Sequence, residues 1–125
     1  FDLLRGAILW ARDTSSVAGM AVDTRYVYVT DDKDAVIALD KRTGASIWKQ
    51  DKLAARSVSG PLAFGRYVVV GDYQGYVHVL SREDGSFAAR IATDGSVIGA
   101  PPVALTADSF VVQTRNGGVY AFTVQ

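Results

Sequence analysis

The sequence predicts an all-β protein, a β-propeller with four-stranded blades, and three observations lead to this prediction. Three versions of one strand, at residues 36–40, 77–81 and 119–123, follow one another at intervals of 41 and 42 residues. Short β-branched and aromatic runs alternate with clusters of Gly, Asn and Asp, the residues that form tight hairpin turns. No segment repeats its apolar residues with the helical period of about 3.6. Four short antiparallel strands in each interval are typical of a propeller blade.

The composition limits the function classes before any motif is considered. The chain has 125 residues, with 13 lysines and arginines balanced by 13 aspartates and glutamates. A net charge of zero argues against nucleic-acid binding, which depends on an excess of cations facing phosphates. The sequence contains no cysteine, so disulfides, thiolate nucleophiles and cysteine-ligated metals are excluded. No apolar run approaches the roughly 18 residues of a membrane-spanning helix.

The first residues predict the end of a blade. Residues 1–6 align with residues 39–44 at an offset of 38, and the same offset places Trp10 on Trp48. We therefore expect residues 1–12 to be the end of a preceding blade, with a fourth strand at residues 7–11. Both tryptophans are expected to pack across blade boundaries as large apolar plugs, and not to stack on a quinone.

The rest of the chain divides into three predicted blades, at residues 13–50, 51–91 and 92–125, the last without a fourth strand. In each blade an aromatic residue opens the second strand, and the third strand follows after a short turn. Closed propellers usually contain about four to eight blades. We therefore expect either a longer parent propeller, which the positions of the two ends favour, or a homo-oligomeric ring joined through complementary terminal strands.

The repeat carries a family motif. Residues 38–48 read Ala-x-Asp-x-x-Thr-Gly-x-x-x-Trp, which resembles the repeat of PQQ-like (quinoprotein) propellers. Residues 71–78 and 83–90 resemble more narrowly the C-terminal part of the BamB family of outer-membrane protein assembly factors, and residues 112–120 are similar to the end of that family. Ala89 departs from the motif, which has Trp at this position. The resemblance covers essentially the whole chain and implies the last three or so blades of an eight-bladed propeller.

The resemblance also implies a function. It points to a non-enzymatic scaffold without a cofactor, which binds the periplasmic POTRA domains of the barrel-inserting subunit BamA and assists outer-membrane protein insertion. Such a lipoprotein would lie at the periplasmic face of the outer membrane, held by an N-terminal lipid anchor outside this segment. The alternative is a fragment of a PQQ-dependent quinoprotein dehydrogenase. That enzyme would need a calcium-bound cofactor, an aspartate base and, in many members, a vicinal cysteine pair, which this sequence lacks.

Two patterns invite a chemical interpretation but have a simpler structural one. Residues 31–34 hold three carboxylates, which are ligands that calcium prefers, but the EF-hand spacing is not met and Lys33 would compete with a cation. We expect a hairpin turn there. His78 is the only histidine, so neither a His-based triad nor a two-His metal site can form. Because it alternates with Val77 and Val79, we expect it to pack or hydrogen-bond on the opposite strand face. The sequence therefore predicts no catalytic, cofactor-binding or metal-binding residue.

Protein interaction is the function class that remains. Residues 51–56 and 91–96 join a fourth strand to the first strand of the next blade, and propellers commonly recruit partners through such loops. In the first loop Leu53 offers an apolar contact and Arg56 a guanidinium, a pairing often found at interface hot spots. We therefore predict Leu53 and Arg56 as partner-binding residues.

Overall fold

A computed structural model describes residues 7–13 and 18–124. This part of the chain contains eleven β-strands and no α-helix that could cross a lipid bilayer. In chain order the strands are β1 (Gly19–Val22), β2 (Tyr26–Thr30), β3 (Val36–Asp40), β4 (Ser46–Gln50), β5 (Leu62–Phe64), β6 (Tyr67–Gly71), β7 (Tyr76–Ser81), β8 (Phe87–Ala92), β9 (Val103–Thr106), β10 (Ser109–Gln113) and β11 (Val119–Thr123).

The strands form three antiparallel sheets in which the spatial order follows the chain order. Strands β1 to β4 form the first sheet, β5 to β8 the second and β9 to β11 the third. The inner strands β1, β5 and β9 contact one another in turn, so the sheets stand side by side like the blades of a propeller. We call them the first, second and third blade. The predicted propeller fold is confirmed.

The hydrophobic core lies between the blades and not within any one of them. Val68, Val69 and Val70 in β6 are all 0% exposed, because both faces of the second blade are covered. Between the first and second blades, the buried cluster contains Tyr28, Val36, Ala38, Trp48, Leu53, Val58, Val68, Val70 and Leu80. Between the second and third blades, it contains Phe64, Val69, Val77, Val79, Ile98, Phe110 and Val112.

The acidic run after β2 forms the expected turn into β3. The Oδ1 atom of Asp31 accepts hydrogen bonds of 2.9 Å from the backbone N–H groups of Lys33 and Ala35. Asp34 has a left-handed backbone, with a φ of 64°, and its Oδ1 accepts a hydrogen bond of 2.8 Å from the N–H of Val58. The run therefore closes the hairpin and ties it to the next blade. In the part of the chain described here, no three acidic, His or Cys side chains form a group that could hold a metal ion.

A tryptophan from the first blade is docked onto the second. Trp48 in β4 is 8% exposed, and its Nε1 donates a hydrogen bond of 2.7 Å to the carbonyl oxygen of Arg82. The indole also covers Gly85, which has a φ of 75°; a Cβ atom there would lie 2.8 Å from Trp48 Cδ2. Only glycine adopts this backbone conformation without strain and leaves room for the ring. The Asp84-Gly85 turn therefore forms the surface on which the tryptophan of the preceding blade packs.

Trp10 repeats this arrangement one blade earlier. Its Nε1 donates a hydrogen bond of 2.9 Å to the carbonyl oxygen of Lys41. A Cβ atom at Gly44, whose φ is 76°, would lie 2.7 Å from Trp10 Cδ2. The predicted packing of both tryptophans across blade boundaries is thus present in the structure.

The predicted fourth strand at residues 7–11 is wrong in this structure. Residues 7–13 form no strand, and Ile8 and Leu9 are 83% and 88% exposed. A strand requires a neighbouring strand to bond its backbone groups, and the described residues offer none on this side of the first blade. Trp10 keeps its contact because that contact is made with the turn of the following blade.

The boundary between the second and third blades lacks a tryptophan. Trp48 lies opposite Ala38 in the first blade, and Ala89 lies opposite Val79 at the equivalent place in the second. A void of about 270 Å³ lies beside Ala89. Its lining includes Tyr67, Ile91, Phe110 and Phe122. Buried aliphatic and phenylalanine side chains fill this boundary in place of a tryptophan. Hydrogen bonds also cross it, such as that of 3.0 Å from the N–H of Ile98 to the carbonyl oxygen of Asp72.

Candidate functional site

A cavity of about 420 Å³ opens between the loop from β4 to β5 and the outer strands of the second blade. This volume lies within the usual range for ligand pockets, about 300–1,000 Å³. We call the cavity the boundary pocket. Its lining residues are Lys52, Leu53, Arg56, His78, Phe87, Ala88, Ala89 and Arg90.

The boundary pocket is lined by cationic side chains and by no acidic one. Lys52 and Arg56 come from the loop, and Arg90 comes from β8. The chain as a whole has a formal net charge of zero. The nearby buried carboxylate of Asp72 pairs with one of the three cations, Arg56, so positive charge remains at this place. A concave surface lined by charges of one sign attracts groups of the opposite sign. The pocket is therefore suited to an anionic group.

Asp72 is 0% exposed and contacts two side chains of the pocket lining, Arg56 and His78. Its Oδ1 accepts hydrogen bonds of 2.9 and 3.0 Å from the backbone N–H groups of Gln74 and Tyr76. Its Oδ2 lies 2.8 Å from His78 Nε2 and 3.4 Å from Arg56 Nη1. A buried carboxylate needs such partners because an unpaired buried charge is strongly destabilising. Asp72 therefore fixes the positions of Arg56 and His78.

The protonation state of His78 follows from its partners. A carboxylate can only accept, so His78 Nε2 carries the proton and donates it to Asp72. Nδ1 is then an acceptor, and it is the only buried side-chain polar atom without a partner in residues 7–13 and 18–124. Burial is the largest influence on the pKa of His78 and lowers it. Asp72 raises this pKa, whereas Arg56 and Arg90 lower it, and the pKa lies below its usual value of 6.5. The imidazole is therefore neutral at pH 7.

We expect the free energy of unfolding to decrease as the pH falls below 6.5. The pKa of His78 is lower in the folded protein than the ordinary value of 6.5. The unfolded chain therefore takes up a proton first, and acidification favours unfolding. One such group contributes at most about 1.4 kcal/mol per pH unit. Urea unfolding of the wild type and of His78→Gln on both sides of pH 6.5 measures this contribution. The variant should lose part of the slope, and equal slopes in the two proteins would contradict the assignment.

The loop that carries Arg56 has an unusual backbone. Ala55 and Ser57, on either side of Arg56, have φ angles of 66° and 50°. Asp34 is the only other residue besides glycine with a positive φ in the described part of the chain. The left-handed region costs a residue with a Cβ roughly 1–2 kcal/mol, and such strain clusters at functional sites. A hydrogen bond of 2.9 Å from the N–H of Tyr73 to the carbonyl oxygen of Arg56 holds the loop against the second blade.

Leu53 and Arg56, the two predicted partner-binding residues, both lie at the boundary pocket. The Arg56 side chain is 31% exposed. Leu53 is 2% exposed and belongs to the core between the first and second blades, so it supports the loop from below. Their role in binding a partner stays a prediction.

The sequence does not predict that Lys52, His78 and Arg90 meet at one pocket. His78 and Arg90 are directly opposite each other in the pairing of β7 with β8. The hairpin signal at Asp84-Gly85 suggests that β7 and β8 are neighbours, since strands joined by a tight turn pair. It does not give the register that places these two residues opposite each other. The position of Lys52 carries no comparable signal, because it depends on how two blades pack.

The corresponding loop at the next boundary binds its own acidic side chain. Asp94 accepts hydrogen bonds of 2.6 Å from Ser96 Oγ, 2.7 Å from Thr114 Oγ1 and 3.2 Å from the Tyr120 hydroxyl. Hydrogen bonds from these hydroxyls lower the pKa of Asp94 to about 2, and the bond from Ser96 has the largest effect. Its carboxylate is thus engaged within the chain, whereas Lys52 and Arg90 of the boundary pocket take part in none of the ion pairs among the described residues.

Comparison with known proteins shows which family the chain belongs to. The family model described as "Outer membrane protein assembly factor BamB" matches residues 1–50 and 36–125, which together cover the whole chain. The chain belongs to the BamB family. The resemblance found in the sequence is therefore confirmed.

Curated relatives match this BamB-family chain over nearly its full length. It is 49% identical over 122 residues to the outer membrane protein assembly factor BamB of Burkholderia pseudomallei (strain K96243), which covers 98% of this chain and 32% of that protein. It is 36% identical over 122 residues to the BamB protein of Escherichia coli (strain K12), with 98% and 31% covered. The chain thus spans about a third of the length of these relatives.

A solved structure supports the fold of this BamB-family chain. BamB from Moraxella catarrhalis has a TM-score of 0.74 and 24% sequence identity, over 83% of this chain and 30% of that one. The quinohemoprotein alcohol dehydrogenase ADHIIG from Pseudomonas putida HK5 also has a TM-score of 0.74, at 21% identity over 95% of this chain and 21% of that one. At 24% and 21% identity, these two structures support the fold and nothing beyond it.

Proposed function

We propose that this chain is part of a scaffold subunit that binds the POTRA domains of BamA and assists the insertion of outer-membrane proteins. The observation that carries the proposal is the BamB family match over the whole chain. Relatives at 49% and 36% identity are named outer membrane protein assembly factors. Because the chain spans about a third of their length, we propose that its blades act within a longer propeller.

The proposal includes a location. We propose the periplasmic face of the outer membrane, with a lipid anchor on a part of the protein that precedes these blades. The support is the shared name of the relatives, which assigns them to outer membrane protein assembly.

The chemistry of the boundary pocket favours binding over catalysis. Its lining contains three cations, one neutral histidine and four apolar residues, with no carboxylate or hydroxyl that would serve as a base or nucleophile. His78 is 1% exposed and its Nε2 is engaged by Asp72. We propose Arg56 as a partner contact and Leu53 as the buried side chain that supports it. The quinoprotein dehydrogenase alternative has support from the fold only.

A pull-down tests this function. We expect the full-length gene product to retain purified POTRA domains of BamA from the same organism. Arg56→Ala should weaken this retention about tenfold or more, as the loss of a hot-spot arginine does. Arg66→Ala, which removes one positive charge from the turn between β5 and β6, is the matched control and should bind normally.

Two results would argue against the proposal. Failure of the wild type to retain POTRA domains, together with dye-linked alcohol oxidation in the presence of PQQ and calcium, would favour the dehydrogenase. Normal binding by Arg56→Ala would leave the scaffold function in place and remove Arg56 from the contact.

A further inference from the structure

We propose that the boundary pocket binds a short peptide segment that presents a carboxylate beside an aromatic side chain. The inference rests on the proposed function in one respect, because it takes the partner to be a protein. It adds the chemistry that the pocket recognises.

The carboxylate follows from cations that the chain leaves without an anion. Among the residues that the structure describes, the cations found in ion pairs are Arg56 and Arg82. His78 also contacts a carboxylate, but its imidazole is neutral at pH 7. Lys52 and Arg90, both exposed, take part in none of these pairs although they line the same pocket. A ligand carboxylate would supply a counter-charge to both at once. The walls of the pocket would shield this carboxylate from water on one side. Charge-assisted hydrogen bonds are stronger in such a partly water-excluded environment.

Two guanidinium groups are held in place before any ligand binds. Arg56 Nη1 lies 3.4 Å from Asp72 Oδ2 and 3.5 Å from Gln74 Oε1, contacts that use one nitrogen of a group with five N–H donors. The guanidinium carbon of Arg90 lies 4.8 Å from the centre of the Tyr76 ring. A planar guanidinium matches a carboxylate with two parallel hydrogen bonds. Because both side chains are already positioned, less conformational entropy is lost on binding.

The aromatic part of the ligand follows from the apolar rim. Phe87 is 42% exposed, and its ring packs edge-to-face against His78 with centroids 6.1 Å apart. Ala88 and Ala89 follow in β8 and leave space beside the phenyl ring. An exposed aromatic ring next to small residues forms a surface on which another aromatic side chain packs well.

The size and charge of the site argue against other anions. Four of its eight lining residues are apolar, and the cavity of about 420 Å³ is large for one inorganic anion. A free phosphate would leave that apolar lining in water. A polynucleotide needs an extended track of cations, whereas this chain has a net charge of zero. A peptide with an acidic and an aromatic residue satisfies both parts of the pocket.

Fluorescence anisotropy with the full-length gene product tests the inference without BamA. The probe is a fluorescein-labelled peptide, Gly-Ser-Glu-Phe-Glu-Ser, at about 0.1 M salt, where charges within about 10 Å still interact. We expect saturable binding. Replacing both Glu residues of the peptide by Gln, or its Phe by Ala, should weaken binding about tenfold or more, which corresponds to about 1.4 kcal/mol.

Variants of the protein place the binding at the pocket. Arg90→Gln and Arg56→Gln should each weaken binding of the Glu peptide about tenfold, while Arg66→Gln should not. Arg90 is exposed, so its replacement carries the test even where Arg56→Gln disturbs the loop. Thermal unfolding of each variant checks that the fold is kept.

Three outcomes would overturn the inference. These are equal binding of the Glu and Gln peptides, displacement by inorganic phosphate with no effect of the Phe residue, and stronger binding of anionic phospholipid vesicles that Arg90→Gln abolishes. Each can occur while POTRA binding is intact, so this inference and the proposed function can fail separately.

Discussion

Replacing Trp48 by alanine is expected to lower the free energy of unfolding by about 4 kcal/mol. Large-to-small replacement of a buried Trp or Phe typically costs about 3–5 kcal/mol, because apolar contact is lost and a cavity remains. Trp48 is 8% exposed, lies 6.1 Å from the ring centre of Tyr28 and donates a hydrogen bond to Arg82. Its loss would also leave that carbonyl group without its partner. Urea unfolding of the full-length gene product, followed by intrinsic fluorescence and circular dichroism, measures the change.

Two further variants separate the causes of this effect. Trp48→Phe keeps most of the ring but removes the N–H donor, so it should cost less than Trp48→Ala. Lys49→Ala changes an exposed side chain of the same strand and should stay within about 0.5 kcal/mol of the wild type. A loss below about 1 kcal/mol for Trp48→Ala would show that the indole does not hold the first two blades together.

Gly85→Ala is expected to destabilise the protein by about 3 kcal/mol. A φ of 75° is strained for any residue with a Cβ, which accounts for about 1 kcal/mol. The new methyl group would also lie 2.8 Å from Trp48 Cδ2, and overpacking of this kind costs about 1–3 kcal/mol. The same unfolding measurement applies.

Gly65→Ala provides the matched control for this replacement. Gly65 has a φ of 59°, and apart from Gly65 and its two chain neighbours no described residue has an atom within 4 Å of the position that its Cβ would take. Gly65→Ala should therefore lower the free energy of unfolding only by the cost of the strained backbone, about 1 kcal/mol. In a Trp48→Ala background the cost of Gly85→Ala should fall to the same value, because the overlapping ring is gone. Additive effects of the two changes would contradict direct contact between the indole and the turn.

The regular part of the fold can be predicted from the sequence because its determinants are local. Each third strand repeats its valine-led pattern, and β3 (Val36–Asp40) and β11 (Val119–Thr123) occupy the predicted residues. The turns carry residues that tolerate a left-handed backbone, such as Gly44 and Gly85. The exception is residues 7–11, where the side-chain pattern predicts a strand but the described residues provide no neighbour for its backbone.

The boundary pocket could be predicted only in part, because it depends on register and on the packing of blades. Arg90 faces the same region as His78 because the register of β7 and β8 shifts between Val79 and Leu80. Such a bulge leaves no clear mark in the sequence. The loop residue Arg56 could be proposed from its position, but its tie to the buried Asp72 required the three-dimensional structure.

The docking of each tryptophan onto the following blade has a consequence for synthesis on the ribosome. The acceptor of Trp48, the carbonyl group of Arg82, lies 34 residues later in the chain. At about 5–20 residues per second, the newly made indole waits roughly 2–7 s for the turn that will cover it. During that interval the unfinished blade exposes an aromatic surface of the kind that chaperones bind. The first blade therefore becomes protected only when the turn of the second blade has been translated.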